Sequence, residues 1–414
     1  MSAAAIKISD RPSSATFRLP DIATQKSGGW SGKQTHFASS TRHIHTHAPS
    51  LVELSDGRIR AFWFAGSREG AQDVEIRSAV YDPASERWGA EQSIINRVDT
   101  QRSLLRYVKK LGNPVPHLTA DGTLWLFYVT VSVGGWAGSS ITAITSSDDG
   151  ASWSSARRLV TSPFLNISTL VKGTPFNYSD GSFGLPVYHE FIGKFGELLR
   201  IGRTGTIIDK KRLSTGNTSL QPVVLIKSTR QAMALMRYSG KSPKRVIATV
   251  TDDAGQHWGE PVKTGLPNPD AAITGVVIPD GRILLALNDT EQGRDTLSLV
   301  VSSDGGITWK TVYSLEDQRG QSTEPSRYEQ IAADLAGATD DGIADPADYA
   351  RSAREHKCDA QVCGSEFSYP YLIQAHNGDF HLVYTWNRSF IKHVTFTRNW
   401  LDQQLERSSD AKPY

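Results

Sequence analysis

Three histidines alternate at His43, His45 and His47. On a strand, successive side chains point to opposite faces, so this spacing puts all three on one face. That arrangement could suit a metal ion or a substrate. No cysteine or acidic residue stands nearby at ligand spacing, so no metal centre is expected. The reading kept is a substrate-facing His47, whose ordinary pKa of about 6.5 fits a general base. A second set of candidates is three aspartates, Asp148, Asp253 and Asp304, each in the pattern [S/T]-x-D-x-G-x-x-W that ends at Trp153, Trp258 and Trp309. In such a turn the carboxylate can accept backbone N–H bonds, the glycine can take a left-handed conformation and the tryptophan can pack between sheets. Those aspartates therefore read as structural. Cys358 and Cys363 are the only cysteines, too few for a four-thiolate zinc site, and leave room for one small loop disulfide.

The elements that must position these residues are strands. Short apolar runs bounded by turn signals recur from Ser50 to Val394, with hairpin signals at Asp56-Gly57, Asp121-Gly122, Asp180-Gly181, Asp280-Gly281 and Asn377-Gly378. Asp253 and Asp304 stand 51 residues apart, and Asp148 and Asp253 stand 105 apart, close to two such steps. A repeat near that length matches one four-stranded propeller blade. Tyr81-Asp82-Pro83 through Trp88 reads as a degenerate fourth copy. The organisation expected is an N-terminal extension over 1–39, an all-β propeller over 40–400 with a helical insertion at 315–366, and a tail over 401–414. The insertion reads equally as a flap over one mouth or as a solvated loop.

Composition narrows the function. The 414 residues include 10 Trp, 13 Tyr and 14 Phe, which excludes a largely disordered chain. Lys and Arg number 45 against 43 Asp and Glu, so no global field draws nucleic acid or an anionic membrane, and any anion site must be local. No apolar run approaches the ~18 residues of a spanning helix. The first twenty residues lack the apolar core of a secretory signal, which reads as cytoplasmic, or as secreted or periplasmic if the chain is a mature form.

The ordered series His47-Ala48-Pro49, Ala65-Gly66-Ser67-Arg68-Glu69-Gly70 with Asp73, Gly112-Asn113-Pro114-Val115, Leu266-Pro267-Asn268-Pro269, Glu366-Phe367-Ser368-Tyr369-Pro370 and Tyr384-Thr385-Trp386-Asn387-Arg388 resembles the sialidase superfamily, in its group of sialidase-like proteins with BNR (Asp-box) repeats. The resemblance covers about Ser40 to Val394 and implies a six-bladed β-propeller with a central site. It also implies an exo-glycosidase that acts on a terminal acidic sugar, sialic acid or a related ulosonic or uronic glycoside, without a cofactor. In that family three arginines hold the substrate carboxylate, because a guanidinium fork matches two oxygens. A tyrosine activated by a glutamate is the nucleophile, and a carboxylic acid protonates the leaving oxygen.

By position, Arg237 resembles the second arginine, Arg294 the third, Tyr369 the nucleophile and Glu69 the acid. Asp73 and Asn113 fall in matching text and join the expected substrate-binding set. Two departures stand out. His47-Ala48-Pro49 replaces the segment that carries the first arginine, and Gln221 stands where the activating glutamate belongs. An amide cannot take a proton from a tyrosine. Substitutes for the base are Glu190 and Glu366, and extra cations are Arg68 and Arg388. The expected partner is an acidic glycan, with no nucleic acid and no membrane. Two other readings remain: a uronate lyase using His, Tyr and Arg for β-elimination, and a non-catalytic glycan-binding propeller.

Overall fold

The computed structural model describes residues 15–23, 32–39, 45–162, 165–337, 346–359, 362–408 and 414. His43 lies outside them. Among the described residues the chain forms six antiparallel sheets, each with at least four strands. Successive sheets meet through their first strands, which gives a six-bladed β-propeller. The innermost strands, in blade order, are His45–Glu53, Lys110–Leu118, Leu170–Val171 with Phe176–Asn177, Ser219–Ile226, Thr274–Val277 and Phe367–Gln374.

The second strands show why this architecture suits the sequence. Ile59–Gly66 and Leu124–Val131 are buried at every position. A sheet covered on both faces favours such near-continuous apolar runs over alternation. Trp63, Phe62, Phe64 and Phe127 are among the largest fully buried side chains, and they fill the space between blades.

The turns consume the repeated aspartates. Asp148, Asp253 and Asp304 each accept a backbone N–H four residues on, from Ser152, His257 and Thr308, at 2.9 Å. Each also accepts the hydroxyl two residues before it, from Ser146, Thr251 and Ser302. Side-chain and backbone hydrogen bonds from Ser152 hold the Asp148 carboxyl down at about 2. Asp82 differs: it accepts from Ala84 N and Ser85 Oγ in a shorter turn.

The ends of the chain diverge from the sequence expectation. Lys33–Phe37, read as extension, pairs antiparallel with Phe390–Phe396 and supplies the outer strand of blade 6. The ring is thus closed by strands from opposite ends of the chain. Before it, residues 15–23 run along the face that carries the hairpin turns. Phe17 inserts between Phe176 and Tyr178 and donates to Thr229 O of blade 4, while Ala23 N donates to His376 O of blade 6. The segment straps one side of the base to the other. At the C-terminus, part of the expected tail is helical, over Arg398–Arg407, capped by the Thr397 hydroxyl on Trp400 N.

The insertion holds two helices, Pro325–Gly337 and Pro346–Lys357, and begins after a strand that continues to Asp317. Tyr328, Ala332, Tyr349, Ala350 and Ala353 pack into one core with Leu297, Phe367 and Phe390 of blades 5 and 6. Tyr349 donates to Ser389 O at 2.7 Å. Cys358 and Cys363 form a disulfide directly after the second helix. Among the described residues no helix is long and apolar enough to cross a membrane.

Candidate active site

One backbone feature recurs in all six blades. Ala48, Asn113, Ser168, Gln221, Asp270 and Tyr369, one per blade at or just before the inner strand, have φ between +38° and +61°. Left-handed backbone costs an L-residue roughly 1–2 kcal/mol, and for a bulky residue such as Tyr it is a true outlier. In four blades the next residue is proline: Pro49, Pro114, Pro222 and Pro370. At each of these the register skips, so that two residues oppose one on the neighbouring strand. These are β-bulges, which re-aim side chains. Proline fits because a bulge residue needs no ladder N–H. The sequence signal was present as an X-Pro pair inside each apolar run.

The bulges place a hydrogen-bonded array around the axis. Gln221 Nε2 donates to Tyr369 Oη at 3.3 Å and to Tyr188 Oη at 3.4 Å, and Asn113 Nδ2 donates to Tyr188 at 3.2 Å. Arg237 Nη1 donates to Gln221 Oε1 at 3.1 Å, and its Nε donates to Asp270 at 2.5 Å. The arginine fixes the amide: Oε1 takes the guanidinium, so Nε2 faces the two phenols. Burial, with the adjacent Tyr369, pushes the Tyr188 phenol well above its ordinary range. Asp270 is held below the usual carboxylate range, since Arg237 outweighs the opposing effect of burial.

A second cluster gathers round Glu366. Arg388 Nε donates to it at 2.8 Å, while Arg294 Nη1 and Lys357 Nζ each stand 3.5 Å away. Burial works against ionisation of this carboxyl, yet the Arg388 hydrogen bond and the surrounding cations hold it well below the usual range. Arg388 also reaches Glu69 at 2.7 Å. It sits in a hairpin turn, Asn387 φ 49° and Arg388 φ 57°, and its carbonyl accepts from Thr46 N of blade 1. A cation from blade 6 thereby lies over the strand where the first arginine is missing.

His47 is only 2% exposed. Its Nδ1 lies 3.1 Å from Thr385 Oγ1 and its ring 4.4 Å from that of Tyr369. Burial and Arg388 push its pKa well down, so it is neutral. The expected substrate-facing histidine is instead covered, packed against the tyrosine. Glu190 is partly buried, with its backbone N–H on Ser168 Oγ, and burial raises its carboxyl.

Of the residues singled out from sequence, the structure brings together Glu69, Tyr369, His47, Glu190, Glu366, Asn113, Gln221, Arg237, Arg294 and Arg388. It does not bring in Arg68 or Asp73. Arg68 is exposed, and Asp73 accepts Ser67 N and Oγ at 2.9 Å, an ordinary turn. Sequence reasoning missed Tyr188, Asp270, Lys172 and Lys357. Among the described residues no group of His, Cys, Asp and Glu is arranged to hold a metal ion.

Comparison with known proteins places this geometry. The BNR repeat-like domain model matches residues 57–382. Among solved structures, the Hadza microbial sialidase Hz136 has a TM-score of 0.62 at 15% identity, over 86% of this chain and 66% of that one. The intramolecular trans-sialidase from Ruminococcus gnavus has a TM-score of 0.61 at 12% identity, over 88% and 97%. A protein of unknown function from Dyadobacter fermentans has a TM-score of 0.60 at 14% identity, over 89% and 100%. At such identities the likeness is one of fold. No curated protein sequence matches the chain.

Proposed function

This chain belongs to the BNR repeat-like domain family, and from that premise we propose that it is an exo-acting glycosidase releasing a terminal acidic sugar. The observation that carries this reading is the convergence of Arg237, Arg294 and Arg388 beside Tyr369. Three guanidinium groups, each already steadied by a carboxylate or carbonyl, present their remaining N–H donors to a sugar carboxylate. Tyr369 gives its phenolic proton to water and attacks the anomeric carbon as the bond to the leaving oxygen breaks. A carboxylic acid gives that oxygen its proton, and water later cleaves the tyrosyl glycoside. Glu69 is engaged by Arg388, whereas burial favours the protonated form of Glu190. Glu190 is therefore the proposed donor, and Glu69 orients Arg388.

A screen of nonulosonate and uronate glycosides tests the proposal. Turnover on one class, reduced about 10²–10⁴-fold in Tyr369→Phe, is the expected result. Intact glycan affinity with no turnover on any member would leave a binding protein.

The Gln221 amide favours a second reading. With Nε2 toward Tyr369, the phenol oxygen accepts, and its own proton is directed away from Gln221. A uronate lyase needs such a tyrosine to pass a proton to the departing 4-linked oxygen. Elimination leaves an unsaturated, ultraviolet-absorbing uronate, and hydrolysis leaves a reducing sugar.

A further inference from the structure

Arg60 begins the second strand of blade 1, Ile59–Gly66, whose far end leads to Glu69, so it stands apart from the axial array. By alternation it shares a face with Phe62 and Phe64, which join one core with Leu124 and Leu126 of blade 2. The residue is 9% exposed, yet among the described residues no carboxylate lies within ion-pair distance of it. Its Nη1 makes a long contact of 3.4 Å with Ser78 Oγ, and its Nε has no hydrogen-bond partner among the described residues. Arg58, Asp148 and Asp149 act on it from further away. Each of these is engaged elsewhere, Arg58 with Asp56, Asp148 with Ser146 and Ser152, and Asp149 with Ser55. The first Asp box leaves room for the guanidinium, since a Cβ at Gly150 would stand 3.0 Å from its carbon. Arg77, on the neighbouring strand, shows the usual remedy for a buried cation: it takes Glu75 at 2.9 Å and Glu91 at 2.5 Å. Without such a partner a buried charge is costly.

A pocket of about 150 Å³ opens beside this guanidinium, with Arg60, Ser78, Val80, Gly89 and Gln92 in its wall and no acidic residue among those that line it. Ser78 is 1% exposed, and among the described residues its hydroxyl has no acceptor, so its proton is free to point into the space. A cation and a hydroxyl donor thus face a small cavity that offers them no counter-charge. We propose that this pocket binds one small oxyanion, of the size of inorganic sulfate or phosphate. Such an ion presents several acceptor oxygens to the guanidinium fork and to the hydroxyl together. It supplies the negative charge that Arg60 lacks, and it ties the residue that the Asp box of blade 2 covers to Glu75–Asp82, the strand that carries Ser78. The ligand is a free ion and not the acidic end of a glycan, because the cavity is far below the roughly 300–1,000 Å³ of sites that enclose larger molecules.

Thermal melts of the full chain in sodium sulfate, against sodium chloride at the same ionic strength and pH, test the site. Saturating sulfate is expected to raise the midpoint by about 2–4 °C over chloride, and inorganic phosphate should act alike. Sulfate also stabilises folded proteins by exclusion from their surface, and Arg237 and Arg294 are other cations it could meet, so the reading is the difference between the parent chain and Arg60→Met. That variant keeps an apolar stem, removes the charge, and should lose the sulfate-specific part of the rise. Ser78→Ala keeps the charge and removes one donor. In calorimetric titration with sulfate it should bind several-fold more weakly than the parent, and it serves if Arg60→Met does not fold. The absence of a rise in the parent, an equal rise in Arg60→Met, or parent-like sulfate affinity in Ser78→Ala overturns the proposal.

Discussion

At Arg237 one guanidinium serves Asp270 and Gln221 through different nitrogens, and a lysine cannot make both bonds. Arg237→Lys is expected to lower kcat/KM on an acidic glycoside about ten- to a hundredfold, a loss of about 1.4–2.7 kcal/mol in transition-state stabilisation, with little change on a neutral one. Steady-state kinetics on the paired substrates checks this. Glu190 gives a pH signature. Burial raises its carboxyl, so the protonated donor persists above the ordinary carboxylate range and disappears as pH rises through the shifted value. Activity should therefore fall on the alkaline side of that value, and Glu190→Gln should lower the plateau and abolish that limb of the profile. Residue types with a family motif around them, such as Tyr369 and Arg294, were legible from sequence. Lys172 was not, because a lysine after Thr169-Leu170-Val171 reads as the solvated end of a strand. Only the crossing of the axis reveals what it touches.

The repeated turns announced the blades at the level of elements, since an aspartate that binds N–H four residues on leaves a fixed spacing of Ser or Thr, Gly and Trp. Trp309 shows what that spacing stabilises: it is 1% exposed and packs with Val300 and Leu285. Trp309→Ala should cost about 3–5 kcal/mol in chemical denaturation, as other large-to-small core changes do. The strand from the N-terminus was illegible because Lys33–Phe37 is half-buried and pairs with a segment more than 350 residues away. Local pattern carries no trace of such a partner. The insertion was legible as helices from its period but not as part of the site, which it enters through Lys357. The disulfide lies between Lys357 and Glu366, two residues that meet at 3.5 Å. Reduction with a thiol is expected to weaken binding of the acidic ligand several-fold in calorimetry while the thermal unfolding of the blades changes little.

Taken whole, the molecule is a ring whose seam joins blade 6 to blade 1, and three histidines lie in that seam. His381 and His393 stack with rings 5.3 Å apart, and His36 from the closing strand lies 5.8 Å from His393. Tyr81 and Trp88 of blade 1 cover them, with Glu86 acting on His36. Burial holds all three down, His381 to about 3. The unfolded chain protonates these groups near pH ~6.5; in the folded chain His36 is lowered from that value, and His381 and His393 are protonated only far below it. Stability is thus unaffected above that point and declines as pH falls toward about 3. The slope approaches ~1.4 kcal/mol per pH unit for each histidine involved. Thermal melts between neutral and acid pH should show this decline, and His381→Leu with His393→Leu should flatten it.

The N-terminal strap, from Phe17 under blades 3 and 4 to Ala23 under blade 6, has a bearing on what can be cut. With Lys172 Nζ reaching from blade 3 to Pro49 O of blade 1 and Pro370 O of blade 6 above it, the proposed glycosidase would offer a saccharide entering from the rim a blind end. On the proposed reading, a long glycan would offer its tip and withdraw rather than thread through to be clipped midway.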